Sequence, residues 1–323
     1  MDTPTSTPAT TPATTPATTP ATTSLTALAE DVRERVLRLA EAASAVDAAT
    51  ALSEDATLRL RSDDGTVTHL LRRDGAGTLV GYAQLVGRAP AAAGTGTADV
   101  EGELLVDPAA RRRGHGRALL EAVGEAAPAS RVLLWSHGDT PGARALAASA
   151  GWRRERELLR MERPTAGLAE LEVPALPPGV VVDAFRPGAD DEAWTALNAA
   201  AFAGHPEQGR WSVQDLRLRL AEPWFDPSVM LLARAPGGAL VGFCWMKVEP
   251  AAAELYVLGT APAHAGRGLG RALLVRGLRA VAARADVPPG VELYVDGDNA
   301  PALRLYERLG FTRAAVDVQY ASR

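Results

Sequence analysis

The chain reads RRRGHGRALL at residues 111–120 and AGRGLGRALL at residues 265–274. Each phrase follows an apolar stretch of strand character, ELLVDP (103–108) in one case and ELYVLGT (254–260) in the other. Each then runs straight into a segment of helical spacing, the second through Leu274, Leu278 and Val281. Glycines at these places remove the Cβ atoms that would keep an anion away from successive backbone N–H groups. The helix start adds unpaired donors and a favourable dipole. The phrase reads as a pyrophosphate cradle, with a tight turn before a helix as its plain alternative.

The repetition is wider than this phrase. TLVGYAQLV (78–86) matches ALVGFCWMK (239–247), and ELLVDPAARRRGHGRALLEAV (103–123) matches VLGTAPAHAGRGLGRALLVRG (257–277) with Pro108 set on Pro262. SHGDTPGARALAASAGW (136–152) matches VDGDNAPALRLYERLGF (295–311). Order and approximate spacing agree, which predicts two α/β domains of one fold, each a mixed sheet flanked by helices. Residues 1–23, rich in Thr, Pro and Ala, predict a disordered tail. The Pro/Gly cluster after residue 163 predicts a linker over 164–177, between domains at 24–163 and 178–323.

With 323 residues and a net charge of −5, the chain has room for two domains but not the basic face that nucleic-acid or membrane-surface binding needs. A single cysteine, Cys244, excludes an intrachain disulfide framework, and the scattered histidines form no metal spacing, so no metal site is expected. The sequence shows no secretory signal and no apolar run long enough to span a bilayer, so a cytoplasmic location is expected.

The glycine phrase resembles the acetyl-CoA loop of the GNAT-type N-acetyltransferases, whose pattern is Gln/Arg-x-x-Gly-x-Gly/Ala. RRRGHG (111–116) matches fully, whereas the second copy begins with Ala265. The family's later signature, an Asn, then a Tyr, then Gly-Phe, stands here as Asn299, Tyr306 and Gly310-Phe311. HPEQGRW (205–211), WFDP (224–227), ELYVLG (254–259) and VDVQYA (316–321) are similar to a tandem-domain branch of that family. That likeness implies an acetyl-CoA-dependent enzyme acting on the cysteinyl amine of a cysteinyl-glucosaminyl-inositol, with two GNAT-type domains in a monomer or weak associate.

The resemblance also implies residue roles. Glu254, on the strand before the loop, is the expected base, and Tyr306 the acid that protonates the departing thiolate. The Leu258 backbone N–H is expected at the thioester oxygen. Acetyl-CoA contacts are expected from Leu258, Gly259 and Thr260 on the strand, and from Ala265, Gly266, Arg267, Gly268, Leu269, Gly270 and Arg271 in the loop. Asn299, Ala300, Pro301, Ala302, Leu303 and Arg304 would contribute from the following helix. In the first copy the matching stretches are Leu104, Leu105 and Val106, then Arg112, Arg113, Gly114, His115, Gly116 and Arg117. Glu54, Glu207, Lys247, Glu254 and Tyr294 are expected to bind the acceptor. Lys247, the sole lysine of the chain, brings a compact three-donor ammonium suited to hydroxyls.

Each role has a bland rival. Glu254 could face solvent, Tyr306 could only pack beneath the Gly-Phe turn, and Glu54 could only complement a helix dipole. Aligning the copies without a gap puts Val100 opposite Glu254, Val86 opposite Lys247 and Ala147 opposite Tyr306. The first copy is therefore expected to bind CoA without catalysing. Rival readings are an acetyltransferase for another small amine or a protein N-terminus, and a non-catalytic acyl-CoA sensor. Retention of Glu254 and Tyr306 argues against the sensor.

Overall fold

The Val-Gly-aromatic phrase sets how a helix lies on its sheet in both halves. A Cβ at Gly81 would come within 2.8 Å of Leu119 Cδ1, and one at Gly242 within 2.9 Å of Leu273 Cδ1. A larger residue at either place would push that leucine tip aside, so glycine lets the helix after each loop seat its leucines close on the strand. The computed structural model describes residues 19–87, 99–204 and 208–322. The chain divides into a first unit, up to Arg154 together with Gln319–Arg323, and a second unit, Glu155–Val318.

In the first unit the elements are β1 (Ala21–Leu25), α1 (Glu30–Asp47), α2 (Glu54–Arg59), β2 (Val67–Arg73) and β3 (Leu79–Gly87). They continue with β4 (Val100–Val106), α3 (His115–Ala126), β5 (Val132–Ser136) and α4 (Pro141–Ser149). Strands run β1-β2-β3-β4-β5 across the sheet, antiparallel except for the parallel pair β4–β5. One face packs on α1 and α2 through Leu39, Leu60, Leu71 and Tyr82, and the other on α3 through Leu70, Leu85, Leu119 and Val123.

Strand β6 (Arg153–Pro164) leads into the second unit. There follow β7 (Val181–Ala184), α5 (Asp191–Ala201), α6 (Val213–Leu220), β8 (Met230–Arg234), β9 (Leu240–Val248), β10 (Ala253–Thr260), α7 (Leu269–Ala282), β11 (Gly290–Asp296), α8 (Ala300–Arg308) and β12 (Thr312–Ala321). The order is β12-β6-β11-β10-β9-β8-β7, with β10–β11 the parallel pair. Helix α7 buries Leu269, Leu273, Leu274, Leu278 and Val281, the three-to-four spacing of a stripe facing a sheet.

Three expectations about organisation change. First, Ala21–Thr23 are not part of a tail: they lie in β1, paired with β2 from Ala21↔Arg73 to Leu25↔His69. No proline follows Pro20 there, so an unbroken ladder can form, and main-chain hydrogen bonds suffice to hold Thr and Ala at a sheet edge. The expected disorder over residues 1–18 lies outside the described residues. Second, the stretch 164–177 packs as part of the second unit. Leu168 is fully buried in its core, Arg276 Nη1 donates to Pro174 O at 3.0 Å, and Arg279 Nη1 donates to Leu171 O at 3.1 Å.

Third, the unit boundaries fall at 154/155 and 318/319, not at 163/164 and the chain end. The strand after Gly151-Trp152 pairs with β11, as in Tyr294↔Arg160. The end of the chain joins the first unit, where the Ser322 N–H donates to Val132 O at 2.8 Å. A repeated strand pattern says that a strand forms, not which sheet it joins.

The first unit carries a buried imidazole. His69 is fully buried, with Nδ1 2.7 Å from Tyr82 Oη and no hydrogen-bond partner for Nε2 among the described residues. Burial lowers its pKa to about 4. The unfolded chain, with an ordinary histidine value near ~6.5, then binds more protons than the folded one between these limits. Stability from this group is whole above the upper limit and drains away as pH falls towards the lower. Denaturant unfolding at pH 7 and pH 5 is expected to differ by roughly 1–3 kcal/mol more in the native chain than in His69→Gln. Equal gaps would remove His69 as the cause.

Candidate active site

Strands β10 and β11 pair only at Ala253↔Val291, Glu254↔Glu292 and Leu255↔Leu293, then separate. Beyond that point, over Leu258, Gly259 and Thr260, β10 keeps its pairing with β9 but not with β11 among the described residues, which opens that side of the strand to a ligand amide. The loop from Ala265 follows at once. Gly266 (φ 73°) and Gly268 (φ 81°) hold left-handed backbone, and a Cβ at either would meet nothing within 4 Å. The loop is therefore open on its outer face, and the N–H groups of Leu269 and Gly270 begin α7. These residues fit an anion such as the pyrophosphate of a CoA thioester. Gly268→Val forces a β-branched side chain into a conformation that costs about 1–2 kcal/mol and narrows the cradle. It is expected to weaken acetyl-CoA binding by about tenfold or more in calorimetry; an unchanged Kd would contradict the cradle.

Glu254 and Lys247 face each other across β9 and β10. Lys247 Nζ pairs with Glu249 at 3.0 Å and lies 5.0 Å from the Trp224 ring centroid. Between Leu255 and Val257 the register shifts, leaving Tyr256 as the extra residue of a β-bulge. Tyr256 enters an aromatic cluster, with its ring centroid 5.1 Å from that of Trp224 and 5.0 Å from that of Trp245. Arg219 Nε donates to its hydroxyl at 2.9 Å, and the Arg219 guanidinium lies 3.9 Å from the Trp211 centroid. Sequence reading missed this cluster; the crowding of Trp and Tyr between 211 and 256 was its one signal.

On β11, Tyr294 has its phenol pushed above its ordinary range, by loss of water first and then by the carboxylates of Glu292, Glu254 and Asp317, with Arg160 opposing. Tyr306 lies near the end of α8 with its ring edge-on to Phe311 at 6.0 Å. Burial, and secondarily Cys244, raise its pKa, so the phenol stays protonated and remains a hydrogen-bond donor. Burial pushes the Cys244 thiol up to about 12, which removes it as an acyl carrier at neutral pH.

Other expected contacts divide. Asn299 caps α8, its side-chain oxygen accepting from the Ala302 N–H at 3.2 Å, with Ala300 and Pro301 in the first turn. Leu303 turns into the core and Arg304 is exposed. Glu54 opens α2 in the first unit beside the capping Ser53, whose oxygen accepts from the Ala56 N–H at 3.1 Å. Glu207 lies outside the described residues.

The first unit repeats the cradle. Arg112 (φ 63°) and Gly114 (φ 86°) take the left-handed conformations of Gly266 and Gly268, and Arg112 does so despite its side chain. Such strain in a non-glycine residue points to a loop shape that is kept for binding. The gapless alignment of the copies, however, is one residue off. By pairing, Val86 faces Glu101 as Lys247 faces Glu254, and Glu101↔Leu133 repeats Glu254↔Glu292. The residue at the position of Glu254 is therefore Glu101 and not Val100, because β4 lacks the Tyr256 bulge. The first copy keeps a carboxylate there, but two donors hold one of its oxygens: Trp135 Nε1 at 2.8 Å and Gln319 Nε2 at 2.6 Å.

The acetyltransferase (GNAT) family matches the chain twice, over residues 32–152 and 192–311. The chain belongs to the GNAT acetyltransferase family. It is an acetyltransferase with two GNAT domains in tandem. Among its relatives, the mycothiol acetyltransferase of Kineococcus radiotolerans is 66% identical over 91% of this chain and 94% of that one. The protein of the same name from Clavibacter michiganensis is 49% identical over 90% and 91%. A tandem GNAT protein from the clavulanic acid biosynthesis pathway shares the fold, with a TM-score of 0.69 and 21% identity over 94% of this chain and 98% of that one. A GCN5-related N-acetyltransferase from Sphaerobacter thermophilus does so at TM-score 0.67 and 21% identity, over 93% and 95%. Among the described residues no helix is long and apolar enough to cross a membrane.

Proposed function

We propose that the chain transfers acetyl from acetyl-CoA to the cysteinyl amine of cysteinyl-glucosaminyl-inositol, giving mycothiol and CoA, and that the second unit carries out the transfer. The observation that carries this reading is the 66% identity, over nearly the full length of both chains, to a protein named mycothiol acetyltransferase.

Acetyl-CoA supplies the activated acetyl group. The loop from Ala265 to Arg271 would hold its pyrophosphate, and the Leu258 N–H, where β10 has left β11, would donate to the thioester oxygen as charge builds there. Glu254 takes the proton of the acceptor amine, which titrates near ~8 when unperturbed. Tyr306, held protonated by burial, delivers a proton to the departing thiolate. Lys247, Tyr294 and Glu207 contact the polyhydroxyl acceptor. Lys247 stands directly across from Glu254, which supports its place beside the amine. The first unit holds a CoA thioester on its own loop without turning it over. It has Ala147 in place of Tyr306, and its carboxylate, Glu101, is taken up by Trp135 and Gln319.

The test is mass spectrometry of purified protein with acetyl-CoA and cysteinyl-glucosaminyl-inositol, since thiol dyes would respond to the acceptor itself. An amide-acetylated product is expected. Turnover with other small amines or a peptide N-terminus, but none with this acceptor, would keep the enzyme and overturn its substrate.

A further inference from the structure

A cavity of about 660 Å³ lies wholly within the first unit, running from Arg112, Gly114 and Gly116 at the glycine loop to Leu134, Ala147 and Trp152. That size suits a small-molecule site. Ala147 and Tyr306 occupy the same place in their copies by backbone bonding. The Trp152 N–H donates to Ala147 O at 2.9 Å, and the Phe311 N–H donates to Tyr306 O at 3.0 Å. In the second unit the Tyr306 ring fills that place, buried in the core against Phe311. In the first unit a single methyl group stands there. The Trp152 indole that replaces Phe311 adds less than the phenol removes, and it lines the cavity itself. Leu104, Leu134, Leu146 and Ala147 give the cavity an apolar lining, beside the polar Ser136, His137 and Thr140.

We propose that the first unit's cavity binds short-chain acyl-CoA thioesters longer than acetyl, with the acyl tail in the room that Ala147 opens. This rests on the reading that the first glycine loop holds a CoA. The tail would leave water for an apolar wall, at roughly fourfold in affinity per buried methylene. Acetyl is too short to collect this gain. The carboxylate nearest in fold position, Glu101, is held by two donors, so the site stores the thioester rather than passing its acyl group on.

The experiment is native mass spectrometry with calorimetry on the full chain, using acetyl-, butyryl- and hexanoyl-CoA, for the native protein, Gly114→Val and Ala147→Tyr. Two thioesters per chain are expected. Gly114→Val removes one of them, and the lost site is the one where butyryl-CoA binds about fifteenfold tighter than acetyl-CoA. Ala147→Tyr erases that preference. Two sites, with butyryl no tighter than acetyl at the one lost in Gly114→Val, would overturn the inference alone. Stoichiometry and affinities unchanged by Gly114→Val would overturn the reading beneath it. The chain-length series on the native protein decides even if Ala147→Tyr fails to fold.

Discussion

Glu254→Gln is expected to lower kcat/KM by about 10³-fold, the middle of the range that a positioned base contributes. The amide keeps the shape of the side chain and its place opposite Lys247, so the loss is chemical rather than structural. The remaining activity should depend on how much acceptor amine is already neutral. It should therefore rise about tenfold per pH unit up to the amine's own titration near ~8 and then level off. The partner experiment is Glu101→Gln, which removes the carboxylate at the same fold position in the first unit. That variant is expected to turn over within about threefold of the native rate, because this carboxylate is already engaged by Trp135 and Gln319. Steady-state rates across pH 6–9 for both variants check the assignment. A large loss in Glu101→Gln with little in Glu254→Gln would move the chemistry to the other unit.

Tyr306→Phe is expected to lower kcat by about 10²-fold while leaving KM for both substrates within about threefold. Phenylalanine keeps the ring and its edge-on contact with Phe311, so only the hydroxyl is lost. If Tyr306 merely packs beneath the turn, the variant should turn over normally. Burial raises the phenol's pKa, which holds its proton in place as pH climbs. The native kcat should accordingly show no fall from this residue up to pH 9, and a basic limb that vanished in Tyr306→Phe would contradict the buried environment. Pre-steady-state formation of the acetylated product, followed by quenched-flow mass spectrometry in both proteins, locates the loss in the transfer step or after it.

Much of the site was legible because it depends on local chemistry. A strand, a glycine loop and a helix start together bare backbone N–H groups, so both loops could be read as candidate cradles from RRRGHG and AGRGLG, and both hold left-handed backbone in the structure. Asn299, Tyr306 and Phe311 could be placed by spacing along one helix and its turn, and the structure keeps them there. The register between copies could not be read in this way. A bulge inserts one residue without any mark in composition, so Tyr256 displaced the comparison and hid Glu101 behind Val100. The donors on Glu101 were equally hidden, since Gln319 lies far along the chain from it.

Sequence by itself determined the repeat, the mixed α/β class, the two loops and the side-chain types on offer for acyl-transfer chemistry. These follow from periodicity, from glycine's freedom and from side-chain type, all of which act over a few residues. Only the tertiary structure decided which sheet β6 and the end of β12 join, how the stretch 164–177 packs, and which carboxylate stands opposite Val86. Those outcomes depend on pairing between strands distant in sequence. A strand's apolar pattern shows which of its faces is buried, and nothing in it names the partner.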